Sequence, residues 1–61
     1  MGLFKKKVIF RLKNHEDIRI GYLEKNKKYS LGYCISYEIE EGGKFVTCIT
    51  SLVLVDFFYK F

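Results

Sequence analysis

Residues 29–39 alternate between two kinds of side chain, and no other feature of the sequence limits the fold as strongly. Positions with odd numbers are apolar or aromatic, and positions with even numbers are small or polar. Successive side chains of a β-strand point to opposite faces of a sheet, so the alternation predicts a strand with one core face and one exposed face. The residues on the predicted core face are Tyr29, Leu31, Tyr33, Ile35, Tyr37 and Ile39.

Shorter apolar runs surround this segment and are separated by Asn, Asp and Gly. They predict five antiparallel strands, near residues 8–13, 18–25, 29–39, 44–50 and 53–58. Gly21 and Gly32 fall inside predicted strands, where glycine lets a strand bend from one sheet into another. We therefore predict an all-β fold, a five-stranded antiparallel SH3-like small barrel, as one domain over residues 1–61.

On the first two strands the apolar residues are predicted to face the core and the cationic residues to face outward. In that arrangement Arg11 and Lys13 lie beside or diagonal to Arg19 and form a cationic stripe. The residues predicted to face inward are Val8, Phe10, Leu12, Ile18, Ile20 and Tyr22.

The dipeptide Gly42-Gly43 suits a two-residue type I′ turn, in which both central residues need a positive φ. Such a turn places Cys34 and Cys48 on opposite faces of the hairpin. We therefore expect two free thiols rather than a disulfide, since bridged cysteines need adjacent Cβ atoms. The predicted register pairs Ile39 with Val46, Tyr37 with Cys48, Ile35 with Thr50 and Cys34 with Ser51.

The charge of the chain is divided unevenly. The net charge is +4, but residues 1–28 hold nine Lys or Arg against three acidic residues, a net of +6, whereas residues 29–61 carry a net of −2. A basic half indicates an anionic partner such as nucleic acid. The alternative is a solvated face that only keeps a small apolar protein in solution.

The lysine-rich turn after the second predicted strand is the strongest candidate for binding. Lysines that hold phosphates beside an aromatic ring that stacks on a base are typical of proteins that bind single strands, and Tyr29 follows this turn directly. The alternative places Tyr29 in the core. Nucleic acid would then be bound through its phosphates alone, without stacking on a base. The residues predicted to bind RNA or DNA are Arg11, Lys13, Arg19, Lys25, Lys27 and Lys28.

The last predicted strand has apolar residues on both faces, and a strand of this kind is normally covered on both. A second subunit is the expected cover, which predicts a homo-oligomer. The alternative is that residues 1–6 fold back and cover the strand with Leu3 and Phe4, which leaves a monomer. The residues of the predicted interface are Val53, Leu54, Val55 and Phe58.

Residues 8–14 (Val-Ile-Phe-Arg-Leu-Lys-Asn), followed by Ile18-Arg19 and Gly21-Tyr22-Leu23, resemble the first sequence signature of the Sm-like family of small barrels. Residues 48–54 are similar to the end of the second signature. The resemblance covers most of the chain and implies an Sm-like barrel that associates through its last strand. The Arg-Gly or Lys-His pair of the second signature is absent, since Val46-Thr47-Cys48 stands there. The resemblance therefore implies the barrel without the family's base-binding pocket.

The sequence contains no pattern typical of a catalytic or metal site. His15, the only histidine, has no partners at ligand spacing, and no nucleophile, base and orienting residue can be combined. We expect no enzyme activity, no metal and no cofactor. The apolar segment 45–61 is too short to span a membrane and is interrupted by Asp56. Without a signal-peptide pattern in residues 1–7, we expect a cytoplasmic protein.

Two functions therefore remain from the sequence. The first is a non-enzymatic barrel that binds nucleic acid through its basic face. The second is a protein-interaction module that docks through an edge strand, and the lysine-rich, proline-free composition suggests a small bacterial or phage regulator or inhibitor. Binding to nucleic acid weakens steeply with ionic strength and docking of an apolar strand does not, so salt dependence separates the two.

Overall fold

The computed structural model describes residues 5–61, and these form one antiparallel sheet with the strand order β4-β3-β2-β1-β5. The predicted all-β, five-stranded antiparallel class is confirmed. β4 and β5 form the two edges and do not pair with each other, so closure into a barrel remains unconfirmed. The strands are β1 (Lys5–Leu12), β2 (Arg19–Lys25), β3 (Tyr33–Glu41), β4 (Lys44–Ser51) and β5 (Val55–Lys60), and short 3₁₀ turns at Ser30–Gly32 and Leu52–Leu54 precede β3 and β5.

The core lies on one face of the curved sheet. Phe10 and Ile35 are fully buried at its centre, and the ring of Phe10 meets the ring of Tyr37 edge to face at 5.3 Å. This arrangement confirms the predicted inward face of β1 and that of β3 from Tyr33 onward. The buried apolar cluster is Val8, Phe10, Leu23, Ile35 and Val55, with Leu12, Tyr33, Tyr37, Leu52 and Phe58 packed against it.

The β3–β4 hairpin forms as predicted. Gly42 and Gly43 both have positive φ, at 60° and 80°. All four predicted residue pairs occur in the observed register. Cys34 and Cys48 are free thiols, and their positions in that register place them on opposite faces. The residues of the turn were therefore sufficient to predict the register of the β3–β4 pair.

The predicted inward face of β2 is wrong. β2 pairs with β1 so that Gly21 lies opposite Val8 and Arg19 lies opposite Phe10. Gly21 faces the core because the backbones of neighbouring strands approach closely there: a Cβ on Gly21 would lie 2.5 Å from the carbonyl oxygen of Ser36. The apolar residues that alternate with Gly21 are consequently exposed. The three residues wrongly assigned to the core are Ile18, Ile20 and Tyr22.

The first four residues of the alternating run do not belong to a strand. Leu31 and Gly32 have positive φ of 68° and 75°, and Leu31, predicted to be buried, is 70% exposed. The chain closes a loop here, with the Asn26 N–H donating to the Gly32 carbonyl at 2.9 Å and the Gly32 N–H donating to the Tyr29 carbonyl at 3.0 Å. Backbone hydrogen bonds of this loop therefore override the side-chain pattern.

β5 begins two residues later than predicted and contains a bulge. Phe57 lies opposite Arg11 and Val55 lies opposite Leu12, so Asp56 is the extra residue. The bulge turns both Val55 and Phe58 toward the core, whereas the sequence pattern placed them on opposite faces. Val53 and Leu54 lie in the preceding 3₁₀ turn and are exposed. The predicted covering residues Leu3 and Phe4 lie outside the described part of the chain.

Candidate nucleic-acid interface

The cationic stripe expected from Arg11, Lys13 and Arg19 does not form, because the observed register places the two arginines on opposite faces of the sheet. Arg11 lies on the outer face and forms an ion pair with Asp56. The Arg19 guanidinium lies on the core face, 5.6 Å from the centre of the Tyr37 ring, and forms an ion pair with Asp17 at 3.0 Å. Both arginines therefore already have anionic partners.

The predicted lysines lie at both ends of the sheet. Lys13 is exposed in the turn that leads to β2, near Arg19, while Lys25 ends β2 about 20 Å away at the usual rise per residue. Lys25, Lys27 and Lys28 are all exposed, and the Lys28 N–H donates to the Asn26 side-chain oxygen at 3.0 Å. The six predicted residues are consequently divided between two ends and two faces of the sheet and do not form one surface.

The outer face of β1 brings together a different set of cations, and each lies over an aromatic ring. The ammonium of Lys5 is 5.3 Å from the centre of the Tyr22 ring, and that of Lys7 is 5.0 Å from the Phe61 ring. Arg11 completes the row, 5.0 Å from the Phe57 ring. Cations this close to a ring face are attracted by its quadrupole, so the three pairs form an ordered surface.

We name this surface the cation–aromatic face. Its aromatic residues come from β2 and β5, the strands on both sides of β1, and from Phe61, which directly follows β5. The Phe61 N–H donates to the Lys7 carbonyl at 3.2 Å, which holds the end of the chain against β1. Tyr59 lies beside Phe57, with ring centres 5.5 Å apart, and is 63% exposed. The face comprises Lys5, Lys7, Arg11, Tyr22, Phe57, Tyr59 and Phe61.

A shallow groove of about 360 Å³ adjoins Tyr22 on the β2 side of this face. Lys5 and Tyr22 form one wall, and the polar side chains of Ser36 and Thr47 contribute to its lining. The Ser36 hydroxyl donates to the Glu24 carboxylate at 2.8 Å. Glu24 lies opposite Lys5 in the β1–β2 register. Its hydrogen bond with Ser36 holds the carboxylate on the side of β2 that faces β3. The lining also includes Glu38, so the groove adds polar groups of both charges beside Lys5 and Tyr22.

The sequence analysis missed Lys5, Lys7 and the exposed aromatic residues. A signal for the lysines was present, since Lys5 and Lys7 continue the two-residue spacing of Ile9 and Arg11 along β1. The aromatic residues were hidden by the bulge at Asp56, which reverses the faces of β5 and cannot be inferred from alternation. Tyr22 was missed because the wrong face of β2 was predicted to point toward the core.

Potential metal ligands are scattered over the described part of the chain. No group of three or more His, Cys, Asp or Glu side chains within residues 5–61 is placed to hold a metal. Burial raises the pKa of the Cys34 thiol, the Glu24 carboxylate raises it further, and a hydrogen bond with Asn26 partly lowers it. A raised pKa keeps the Cys34 thiol protonated at neutral pH, which lowers its reactivity.

Comparison with known proteins found no matching family model, no matching curated protein and no matching solved structure. The Sm-like resemblance therefore rests on residue spacing alone. No helix within residues 5–61 combines the length and apolar character needed to cross a bilayer.

Proposed function

We propose that this protein is a non-enzymatic binder of single-stranded nucleic acid, RNA or DNA, and that the cation–aromatic face is its binding surface. The observation that supports the proposal most directly is the pairing of each of three cations of β1 with one exposed or half-buried ring. Lys5 pairs with Tyr22 of β2, Arg11 with Phe57 of β5, and Lys7 with Phe61 just after β5. Single-strand binders combine these two elements, since cations follow the phosphates and rings stack on bases without regard to sequence.

The free protein holds its cations over the ring faces that a base would occupy. Binding would exchange each cation–π contact, worth about 0.5–1 kcal/mol at an exposed site, for a base on the ring and a phosphate on the cation. Stacking on an exposed ring is worth about 1–3 kcal/mol per base. The exchange is therefore favourable. Phosphate contacts from the three cations of this face would contribute about −2 to the slope of log K against log salt concentration on a single strand.

Fluorescence anisotropy with labelled single-stranded RNA and DNA of mixed sequence tests the proposal. Tyr59→Ala removes an exposed ring from the face, and we expect the affinity to fall about fivefold or more. Phe45→Ala is the matched control, since Phe45 is an exposed aromatic residue on β4, away from the face. Lys7→Ala should weaken binding and flatten the salt slope by about 0.7, whereas Lys44→Ala should do neither.

A protein-interaction module is the second candidate function, and one observation favours it. β4 is an unpaired edge with a single charged residue, Lys44, at its first position. An edge of this kind adds a strand from another chain readily. If the wild type binds neither RNA nor DNA at low salt, the nucleic-acid proposal fails and this function takes its place.

A further inference from the structure

The two edges of the sheet differ in how well they are protected from further pairing. β5 carries charges at Asp56 and Lys60 and has a bulge beside Arg11, and such features discourage edge pairing. β4 has Lys44 at its first position, and neither a charge nor a glycine, a proline or a bulge in the rest of the strand. β4 is therefore the open edge of the described sheet.

The hairpin geometry determines which backbone groups of β4 are free. Residues that flank a two-residue turn, here Glu41 and Lys44, exchange both of their backbone hydrogen bonds, and such pairs recur at every second position. The even-numbered residues of β4 therefore bond to β3. The N–H and C=O groups of Phe45, Thr47 and Ile49 point away from the sheet, where the described residues provide no partner strand.

The side chains of the same three residues share the outer face of the sheet, because they alternate with Val46 and Cys48 on the core face. Phe45 is 74% exposed and Ile49 is 53% exposed. β4 thus presents free backbone groups and its most exposed apolar side chains at the same positions. A segment with high β-propensity, little charge and no proline is typical of strands that pair with another copy.

We propose that β4 pairs with β4 of a second copy, antiparallel across a two-fold axis at Thr47. In this register Thr47 opposes its own equivalent, and Phe45 opposes Ile49 in both halves of the interface. The free backbone groups of all three residues find partners, and the two exposed apolar residues cover each other. Lys44 lies opposite Thr50, so no like charges meet.

Moving the two-fold axis by one residue, to Cys48, keeps the same faces of the two strands matched. This register is less complementary, because it places Ser51 opposite Phe45. Specific interfaces bury roughly 1,200 Å² or more in total, and one strand from each copy provides less, so we expect a weak dimer that forms at high protein concentration. The inference does not depend on nucleic-acid binding, since it rests on the free backbone groups and the exposed side chains of β4.

Sedimentation velocity at roughly 100 µM tests the pairing. We expect the wild type to sediment as a dimer and Thr47→Lys, which places two lysines on the axis, as a monomer with an unchanged circular dichroism spectrum. Tyr59→Lys adds the same charge to an exposed residue of the other edge strand and should leave the dimer intact. A monomeric wild type, a dimer that survives Thr47→Lys, or a dimer that Tyr59→Lys abolishes would each overturn the proposal.

Disulfide trapping tests the register. In the proposed dimer Val46 opposes Cys48 of the second copy as a non-hydrogen-bonded pair, whose Cα atoms lie about 4.5 Å apart, within disulfide range. Oxidised glutathione should therefore link most of the Cys34→Ala/Val46→Cys variant into dimers of twice the mass. Cys34→Ala alone should remain unlinked. Equal linkage in this control would place Cys48 on the axis and refute the register.

Discussion

The guanidinium of Arg11 lies 5.0 Å from the centre of the Phe57 ring, its directly opposed neighbour on β5, and the same guanidinium forms an ion pair with Asp56. The Arg11 and Asp56 side chains are 37% and 44% exposed, respectively. An ion pair this exposed to solvent contributes at most about 1 kcal/mol to stability. A phosphate group can therefore compete with Asp56 for the cation on the cation–aromatic face.

Removing the competing carboxylate should strengthen binding of nucleic acid. For Asp56→Asn we expect an affinity for single strands roughly threefold to tenfold higher at low salt, because a repulsive charge is lost and Arg11 is released. The salt slope should steepen by at most about 0.7, because the Arg11 contact with phosphate then forms without competition from Asp56. Glu40→Gln removes the same charge from the distant β3–β4 hairpin and should leave the slope unchanged. An affinity for Asp56→Asn no higher than that of this control would argue against a role for Arg11.

The lysines of the β2–β3 turn provide a separate prediction. Lys25, Lys27 and Lys28 are exposed and lie at the end of the sheet where β1 begins with Lys5, so a strand bound to the cation–aromatic face can reach them. Changing the three together to alanine should weaken binding to all sequences alike and flatten the salt slope by about 2. Anisotropy titrations across several salt concentrations measure both effects. An unchanged slope would confine binding to the outer face of β1.

The β3–β4 hairpin was predictable from sequence and the cation–aromatic face was not, for a physical reason. Gly42-Gly43 determines a register by turn geometry alone, which depends on two adjacent residues. The face depends on Gly21 facing the core and on the bulge at Asp56, and both are responses to packing between strands distant in sequence. Hydrophobic alternation reports which residues share a face, but it does not report which face is inside when both carry apolar residues.

The alternation of residues 29–39 also shows the limit of a local pattern. Leu31 fits the pattern and yet adopts a left-handed conformation at the surface. The backbone hydrogen bonds that close the loop between Asn26 and Gly32 account for this conformation. The six predicted basic residues were likewise chosen by charge and proximity in sequence. The strand register then divided them between two ends and two faces of the sheet.

The contact between Gly21 and the neighbouring strand predicts a large effect of a small substitution. In Gly21→Ala the added Cβ would lie 2.5 Å from the Ser36 carbonyl oxygen and 3.1 Å from the Phe10 ring. Backbone and buried ring cannot move freely, so we expect destabilisation of about 2 kcal/mol, or a Tm lower by roughly 8–16 °C. Thermal unfolding followed by circular dichroism measures this shift. Gly43→Asn is the control, because Asn tolerates positive φ, and a similar loss there would show that backbone freedom alone is responsible.

The two thiols should differ in reactivity. Cys34 is buried and its pKa is raised by burial and by Glu24, whereas Cys48 is half-buried. At pH 8 a thiol reagent should label Cys48 within minutes and Cys34 only as fast as the protein opens. In denaturant, without prior reduction, both should react. Titration of no thiol, with a mass two daltons low, would show that a disulfide joins them.

The raised pKa of Cys34 also predicts how stability depends on pH. Below pH 9.0, the ordinary thiol pKa, the thiol is protonated in both states and contributes no pH dependence. Above it, the unfolded chain releases its proton while the folded chain retains it, so the free energy of unfolding falls as pH rises toward the folded pKa. Cys34→Ala should lose part of this alkaline decline. Denaturant unfolding of both proteins between pH 7 and about 10.5 measures the difference.

Self-association through the last part of the chain is a further prediction, and the structure limits it to two of the four residues of the predicted interface. Val55 and Phe58 belong to the core of the chain itself, which leaves Val53 and Leu54 exposed, beside the 3₁₀ turn that contains Leu31. If this apolar surface joins two copies, Leu54→Lys should convert an oligomer into a monomer, because the charge would be buried without a partner. Sedimentation at high micromolar concentration measures the outcome, with Ile18→Lys as an exposed apolar control.

Leu54→Lys and Thr47→Lys together distinguish the two ways in which copies could meet. A dimer that is lost only with Thr47→Lys assembles through β4, and one that is lost only with Leu54→Lys assembles through the 3₁₀ turn before β5. The two sites lie on different elements, so a wild type larger than a dimer that each variant reduces to a dimer uses both contacts. A wild type that sediments near its monomer mass of 7.3 kDa would end both ideas and leave the outer face of β1 as the remaining functional surface.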